Sequence, residues 1–192
     1  MSRIARWIAT LLVLLSSAIK AQEPPDRWHI AVWIAGATGE EDRDSLTQAQ
    51  VCMASFYAGR PITDQAGKSF LRGNLEYGLN VIPVFMTSRP RLIYGGGFEP
   101  IVLRWNFRRL RRFIPYIELA GGGLFTTSNF PSGNTSNFNF TTRGGGGIQV
   151  FTNRRHSWDI GLRFLHISNA NLGDKNPEFN GLQVTLGYHW FK

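Results

Sequence analysis

A histidine and a serine two residues apart on one face of a strand can serve as base and nucleophile. His166 and Ser168 stand in that relation within Phe164-Leu165-His166-Ile167-Ser168-Asn169-Ala170-Asn171. In extended backbone, side chains two apart point the same way and lie about 6–7 Å apart along the chain. Rotamer choice then brings the imidazole within hydrogen-bond reach of the hydroxyl. A neutral imidazole takes the serine proton as the oxygen attacks an ester carbonyl, the activation a hydroxyl nucleophile requires. The same pair at a solvated strand end would carry no chemistry, so its surroundings decide.

Other chemistry-bearing residues point elsewhere. His29, His156 and His189 have no carboxylates at metal-ligand spacing, so no metal site and no cofactor are expected. Cys52 is the single cysteine, which excludes an internal disulfide and a cysteine-based zinc site. Gly144–Gly147 lacks the Lys-Ser/Thr of a phosphate loop. Glu118 is expected to pair internally with Arg143 and Arg163 rather than to catalyse. Asn134-Thr135-Ser136 matches a glycosylation pattern that has no meaning in a bacterial-type barrel.

The elements that must position His166 and Ser168 have a period of two. In Gly181–Lys192, Leu182, Val184, Leu186, Tyr188 and Trp190 share a face, with Gln183, Thr185, Gly187 and His189 opposite. In Ser157–Ser168, Trp158, Ile160, Leu162 and Phe164 share a face, and His166 and Ser168 continue it. In Ser69–Phe85, Leu71, Leu75, Tyr77, Leu79 and Val81 oppose Arg72, Asn74, Glu76 and Asn80. Weaker alternation at 27–37, 49–60, 91–105, 112–125 and 137–151 gives eight strands. Longer polar connections are expected near 38–48, 126–136 and 168–180, and tight basic ones at 106–111 and 152–156.

Composition limits the class. The 192 residues are 43% hydrophobic and 18% charged, against disorder or a solvated coiled coil. No apolar run after residue 20 approaches the ~18 residues of a spanning helix. Residues 1–21 have a basic start, an apolar run from Trp7 to Leu15 and a small-residue end, as a signal peptide does, with cleavage at Ala18 or Ala21. The remainder, 22–192, is read as one domain outside the cytoplasm. Its 18 basic and 13 acidic residues leave it at +5, down from +8 for the whole chain. A nucleic-acid partner fails on compartment.

Two closed eight-stranded barrels fit, and each is the other inside out. A lipocalin-like carrier puts apolar groups inside; a membrane barrel puts them outside, around a polar lumen. Arg72, Glu76, Asp159 and Arg163 lie mid-strand opposite apolar faces, where a narrow lumen would let them pair. Strand glycines relieve crowding there, and Tyr188, Trp190 and Phe191 suit an interfacial belt. The expectation is an all-β, antiparallel, up-and-down outer-membrane β-barrel of eight strands. Basic turns at Arg108, Arg109, Arg111, Arg112, Arg154 and Arg155 then fall at the inner leaflet, facing phospholipid phosphates or simply water. The acidic residues Glu40, Glu41, Asp42 and Asp44 are expected in a solvated outer loop.

The run His166-Ile167-Ser168-Asn169-Ala170, followed by Asn176-Pro177, resembles the outer-membrane lipid A 3-O-deacylases (PagL type), or acyloxyacyl hydrolases. Pro115-Tyr116-Ile117-Glu118 before Gly121–Gly123 resembles the family's fifth strand, and Asn139-Phe140-Thr141 before Gly144–Gly147 its sixth. The resemblance implies a barrel esterase acting on lipid A of lipopolysaccharide through a Ser–His–Glu triad on its lipid-facing surface. Ser168 would be the nucleophile and His166 the base. Asn169, Asn176 and backbone amides near Asn171 would hold the oxyanion. The family's glutamate falls twelve residues after the serine, where this chain has Asn180; Glu178 lies two residues away. Either Glu178 reaches the Nδ1 side of His166 or Asn180 orients the ring without charge. Glu178 is the favoured acid. The rivals are an inactive structural barrel and the soluble carrier; a homodimer stays open.

Overall fold

The computed structural model describes residues 28–42, 45–89, 91–131, 136–173, 176 and 178–192. The expected signal peptide and the Asn134-Thr135 pattern lie outside them. Eight strands close on themselves in chain order: β1 His29–Asp42, β2 Ser45–Pro61, β3 Gly73–Arg89, β4 Ile93–Phe107, β5 Phe113–Thr126, β6 Phe138–Phe151, β7 His156–Ser168 and β8 Phe179–Phe191. Every neighbouring pair is antiparallel, and β1 closes on β8 from His29↔Phe191 to Glu40↔Asn180.

The alternation runs in the membrane sense. Trp158, Ile160, Leu162 and Phe164 of β7 are exposed, while Ser157, Asp159, Arg163, Leu165 and Ile167 are buried. On β8, Leu182, Val184 and Leu186 face out, and Gln183, Thr185 and His189 face in. Apolar groups outside and polar groups inside overturn the soluble-carrier alternative, because such a wall has no stable solvent but a bilayer. Trp158, Tyr188 and Trp190 stack edge-to-face near the start of β7 and the end of β8, with centroids 4.8–4.9 Å apart. Tyr188 and Trp190 thus belong to the expected aromatic belt, joined by Trp158, but Phe191 does not: parity turns it inward, where it is buried against His29 (4.4 Å) and Phe151 (5.1 Å).

The lumen is a charged core. Glu118 accepts from Arg104 (2.6 Å), Arg143 (3.1 Å) and Arg163 (3.1 Å), and Arg143 also pairs with Glu99 at 2.7 Å. The expected Glu118 pairing with Arg143 and Arg163 is therefore present, with Arg104 added through the β4–β5 register Arg104↔Glu118. Nearer the belt, Glu76 contacts His29 (2.6 Å) and accepts from Asn106 (3.0 Å), and the Tyr57 hydroxyl donates to it at 2.5 Å. Interior glycines make room: a Cβ at Gly147 would sit 2.5 Å from the Tyr116 hydroxyl, and one at Gly161 2.8 Å from it.

Two further expectations need correction. Arg72 is not in the lumen. It is exposed and precedes β3, because Ser69–Leu71 form a 3-10 turn that interrupts the alternation before Gly73. Leu71 is consequently a rim residue and not part of the wall. The expected loop at 38–48 is also largely strand: Thr38↔Gln50, Gly39↔Ala49 and Glu40↔Gln48 continue the β1–β2 ladder to Asp42↔Ser45. Apolar alternation fades where a strand leaves the hydrocarbon, but backbone pairing continues beyond it.

Removing one member of a buried ion cluster leaves its partners uncompensated, at about 3–5 kcal/mol. Glu118→Ala is therefore expected to lower the unfolding free energy of the barrel in detergent by that amount, read as a lower urea midpoint for loss of the fast-migrating unboiled band.

Candidate active site

Parity along β7 carries Phe164, His166 and Ser168 onto the outer wall. His166 lies eight residues beyond Trp158, about 27 Å along the strand and about 20 Å along the axis at a ~40° tilt. Ser168 is two residues further. Both therefore sit near the top of the ~25 Å apolar band, opposite the Trp158–Tyr188–Trp190 belt.

The two side chains meet. His166 Nε2 lies 3.0 Å from Ser168 Oγ. On its other side, His166 Nδ1 lies 2.8 Å from Asn180 Oδ1, and Asn180 Nδ2 donates to Glu178 Oε2 at 3.3 Å. A carboxylate can only accept, so it fixes which end of the Asn180 amide faces the ring. Asn180 Oδ1 can only accept too, so the ring proton resides on Nδ1. Nε2 is left with its lone pair toward the serine hydroxyl, the tautomer a general base needs.

This geometry corrects the preference for Glu178 as the direct partner of His166. The antiparallel β7–β8 register places His166 opposite Asn180. Glu178, two positions earlier on the same face, reaches the imidazole only through the Asn180 amide. Ser168 is 8% exposed and His166 half-buried, so the pair is shielded yet open to the wall.

The segment after Ser168 turns tightly. The Leu172 amide donates to the Asn169 carbonyl at 3.0 Å, with Ala170 at φ 51° and Asn171 at φ 63°. Two central residues at positive φ are the mark of a type I′ turn. Such a conformation is unusual for alanine. The Asn169 amide donates to Asn176 Oδ1 (2.9 Å) and the Asn171 amide to Asn169 Oδ1 (3.0 Å). The expected oxyanion amide at Asn171 is therefore engaged within the turn, and Asn169 is a buried turn anchor. Asn176 presents its Oδ1 to that turn, which leaves its Nδ2 as the remaining side-chain donor.

Sequence reasoning missed the β6 neighbours. Phe140 pairs with Ser168, and Thr142 with His166. Both line an apolar groove of about 720 Å³ that crosses β5 to Phe98 and Ile101 of β4. Gly121 and Gly123 form its floor. A Cβ at Gly121 would meet nothing nearer than the Thr141 carbonyl at 3.6 Å, so the space above it is open. The glycines were visible in the sequence, but only the register shows that Gly121 lies beside Thr142 and thus one strand from His166.

A model of the family described as lipid A 3-O-deacylase (PagL) matches residues 35–189. No curated protein matches significantly. Among solved structures, the outer membrane enzyme PagL aligns with a TM-score of 0.59 at 16% identity, covering 81% of this chain and 97% of that one. Neisserial surface protein A aligns at 0.54 and 12% identity, covering 85% and 96%. Identities this low speak for the fold alone. With the family match they make this an outer-membrane barrel.

The Asn180 contact predicts a measurable tautomer. Ring ¹⁵N shifts of His166 are expected to report protonated Nδ1 in the neutral form, and Asn180→Ala to mix in the Nε2-protonated form.

Proposed function

As this chain belongs to the lipid A 3-O-deacylase (PagL) family, we propose that it hydrolyses an ester-linked acyl chain of lipid A by a Ser168–His166 mechanism on its lipid-facing wall. The observation that carries this reading is the continuous relay Ser168–His166–Asn180–Glu178, facing outward at the upper edge of the apolar band.

The chemistry follows from the tautomer. Ser168 Oγ attacks the ester carbonyl as its proton passes to His166 Nε2. The tetrahedral oxyanion is held by Asn176 Nδ2, a type of donor typically worth about 2.7–4 kcal/mol in the transition state. Collapse breaks the bond to the sugar oxygen, which takes the proton back from His166, and the acyl group stays on Ser168. Water then attacks the acyl-serine with His166 again as base, releasing the fatty acid and restoring the serine. No metal or cofactor enters these steps. The acyl chain would run from Ser168 past Phe140 into the groove over Gly121, where the missing side chain leaves room for methylenes.

Asn180 and Glu178 together take the place of the family's single glutamate. The amide receives the Nδ1 proton, and the carboxylate supplies negative charge one hydrogen bond further out. The imidazolium formed during attack is still offset, at a longer range and so more weakly.

Ser168→Ala and His166→Ala are each expected to cut release of 3-hydroxy fatty acid from purified lipopolysaccharide by about a thousandfold or more, read by mass spectrometry of lipid A. Undiminished release by either would remove the mechanism, and no release by the native chain would favour the inactive barrel. Asn180→Ala should cost about a hundredfold and more than Glu178→Ala. The double variant Glu178→Gln with Asn180→Glu, which moves the carboxylate onto Nδ1, should keep most activity. Gly121→Leu fills the groove without a backbone clash. It should slow release of long acyl chains while sparing hydrolysis of a soluble acetyl ester.

A further inference from the structure

The inner rim carries a second surface that the ester chemistry does not use. Its turns, at 62–72, 108–112 and 152–155, hold eight basic residues against one acid, Asp64. They do not merely point at water. Phe70 is 79% exposed, Leu71 54% and Leu110 61%, an unusual display of large apolar groups among arginines. The first two of these turns are joined, since the Arg108 amide donates to the Arg72 carbonyl at 2.6 Å.

Between them lies a cleft of about 860 Å³. One wall is apolar: Phe70 from the 3-10 turn, Phe107 at the end of β4, and Phe113 and Pro115 at the start of β5. Outward parity makes Phe113 and Pro115 continuous with the lipid-facing surface of Ile117 and Leu119. The other edge is cationic, formed by Arg108 and Arg111, whose backbone takes a positive φ of 58°. Arg109 has a different task. It is buried over the Phe151 ring at 4.3 Å and donates to the Arg111 carbonyl at 2.7 Å, which holds the turn in shape and closes the barrel floor.

A cleft with apolar walls edged by Arg108 and Arg111 matches one chemistry, a phosphodiester attached to hydrocarbon. We propose that it binds an anionic glycerophospholipid of the inner leaflet, with the phosphate against Arg108 and Arg111 and an acyl chain along Phe107, Phe113 and Pro115. Arginine suits this role because its planar fork meets phosphate oxygens in pairs. Each basic side chain near an anionic surface adds about 1 kcal/mol. The rim would thereby fix the depth of the barrel from below.

The test uses the full mature chain, folded in neutral detergent. Phosphatidylglycerol and phosphatidylcholine of equal chain length are titrated and retained lipid counted by native mass spectrometry. Preferential retention of phosphatidylglycerol is expected, falling about 30-fold in Arg108→Gln/Arg111→Gln, at about fivefold per charge. Phe70→Ser should weaken phosphatidylglycerol without affecting inorganic phosphate. Equal retention of the two lipids would overturn the proposal. So would an unchanged preference in the double variant, or displacement of phosphatidylglycerol by equimolar inorganic phosphate. The unboiled band shift confirms that each variant is folded, and Arg154→Gln/Arg155→Gln, on the turn outside the cleft, should keep the preference.

Discussion

The backbone ladder is the constraint on which everything else rests. Inside hydrocarbon each N–H and C=O must be paired by the protein itself, and a strand can do that only in a sheet with no edge. Closing β1 on β8 satisfies this, and closure in turn fixes every register. Once β7 is paired with both neighbours, His166 must lie between Thr142 and Asn180, and Ser168 beside Phe140. The candidate catalytic groups need no dedicated loop to bring them together. They inherit their spacing from the strand period and their partners from the ladder.

The same closure creates an interior that sets a layer of buried charges beside an apolar cluster that includes Phe85, Phe130, Ile167 and Phe179. Four acids (Glu76, Glu99, Glu118, Asp159) and three arginines (Arg104, Arg143, Arg163) are buried there. Glu118 alone takes up three guanidinium groups. Such a core is costly to desolvate and strongly specific, since a one-residue slip on any of β3 to β7 would turn that strand's charges to lipid. Rigidity of this kind suits a site on the outside wall, because the scaffold beneath His166 and Ser168 cannot easily shear.

Much of this was legible in the sequence because one alternation encodes both fold and orientation. Leu182 to Trp190 and Trp158 to Phe164 show which side meets lipid, and parity then carries His166 and Ser168 outward. Legibility failed where the period failed. Arg72 looked like a lumen residue because the 3-10 turn at Ser69–Leu71 leaves no mark in the alternation. Residues 38–48 looked like loop because polar strand beyond the bilayer reads as turn. The choice between Glu178 and Asn180 depended on cross-strand register, which no single segment contains: the two share a face, and only pairing with β7 distinguishes them. The groove over Gly121 was hidden for the same reason, being spread across three strands.

The packed lumen has a consequence for the cell as well as for the site. Arg143 and Glu99 are almost wholly inaccessible and Glu118 is bound from three sides, so ion pairs among the described residues fill the middle of the cylinder. That layer is a plug of side chains across the barrel. An ion entering from either rim would meet fixed, already compensated charges there, so this layer is a barrier to permeation built from the same contacts that hold the strands in register.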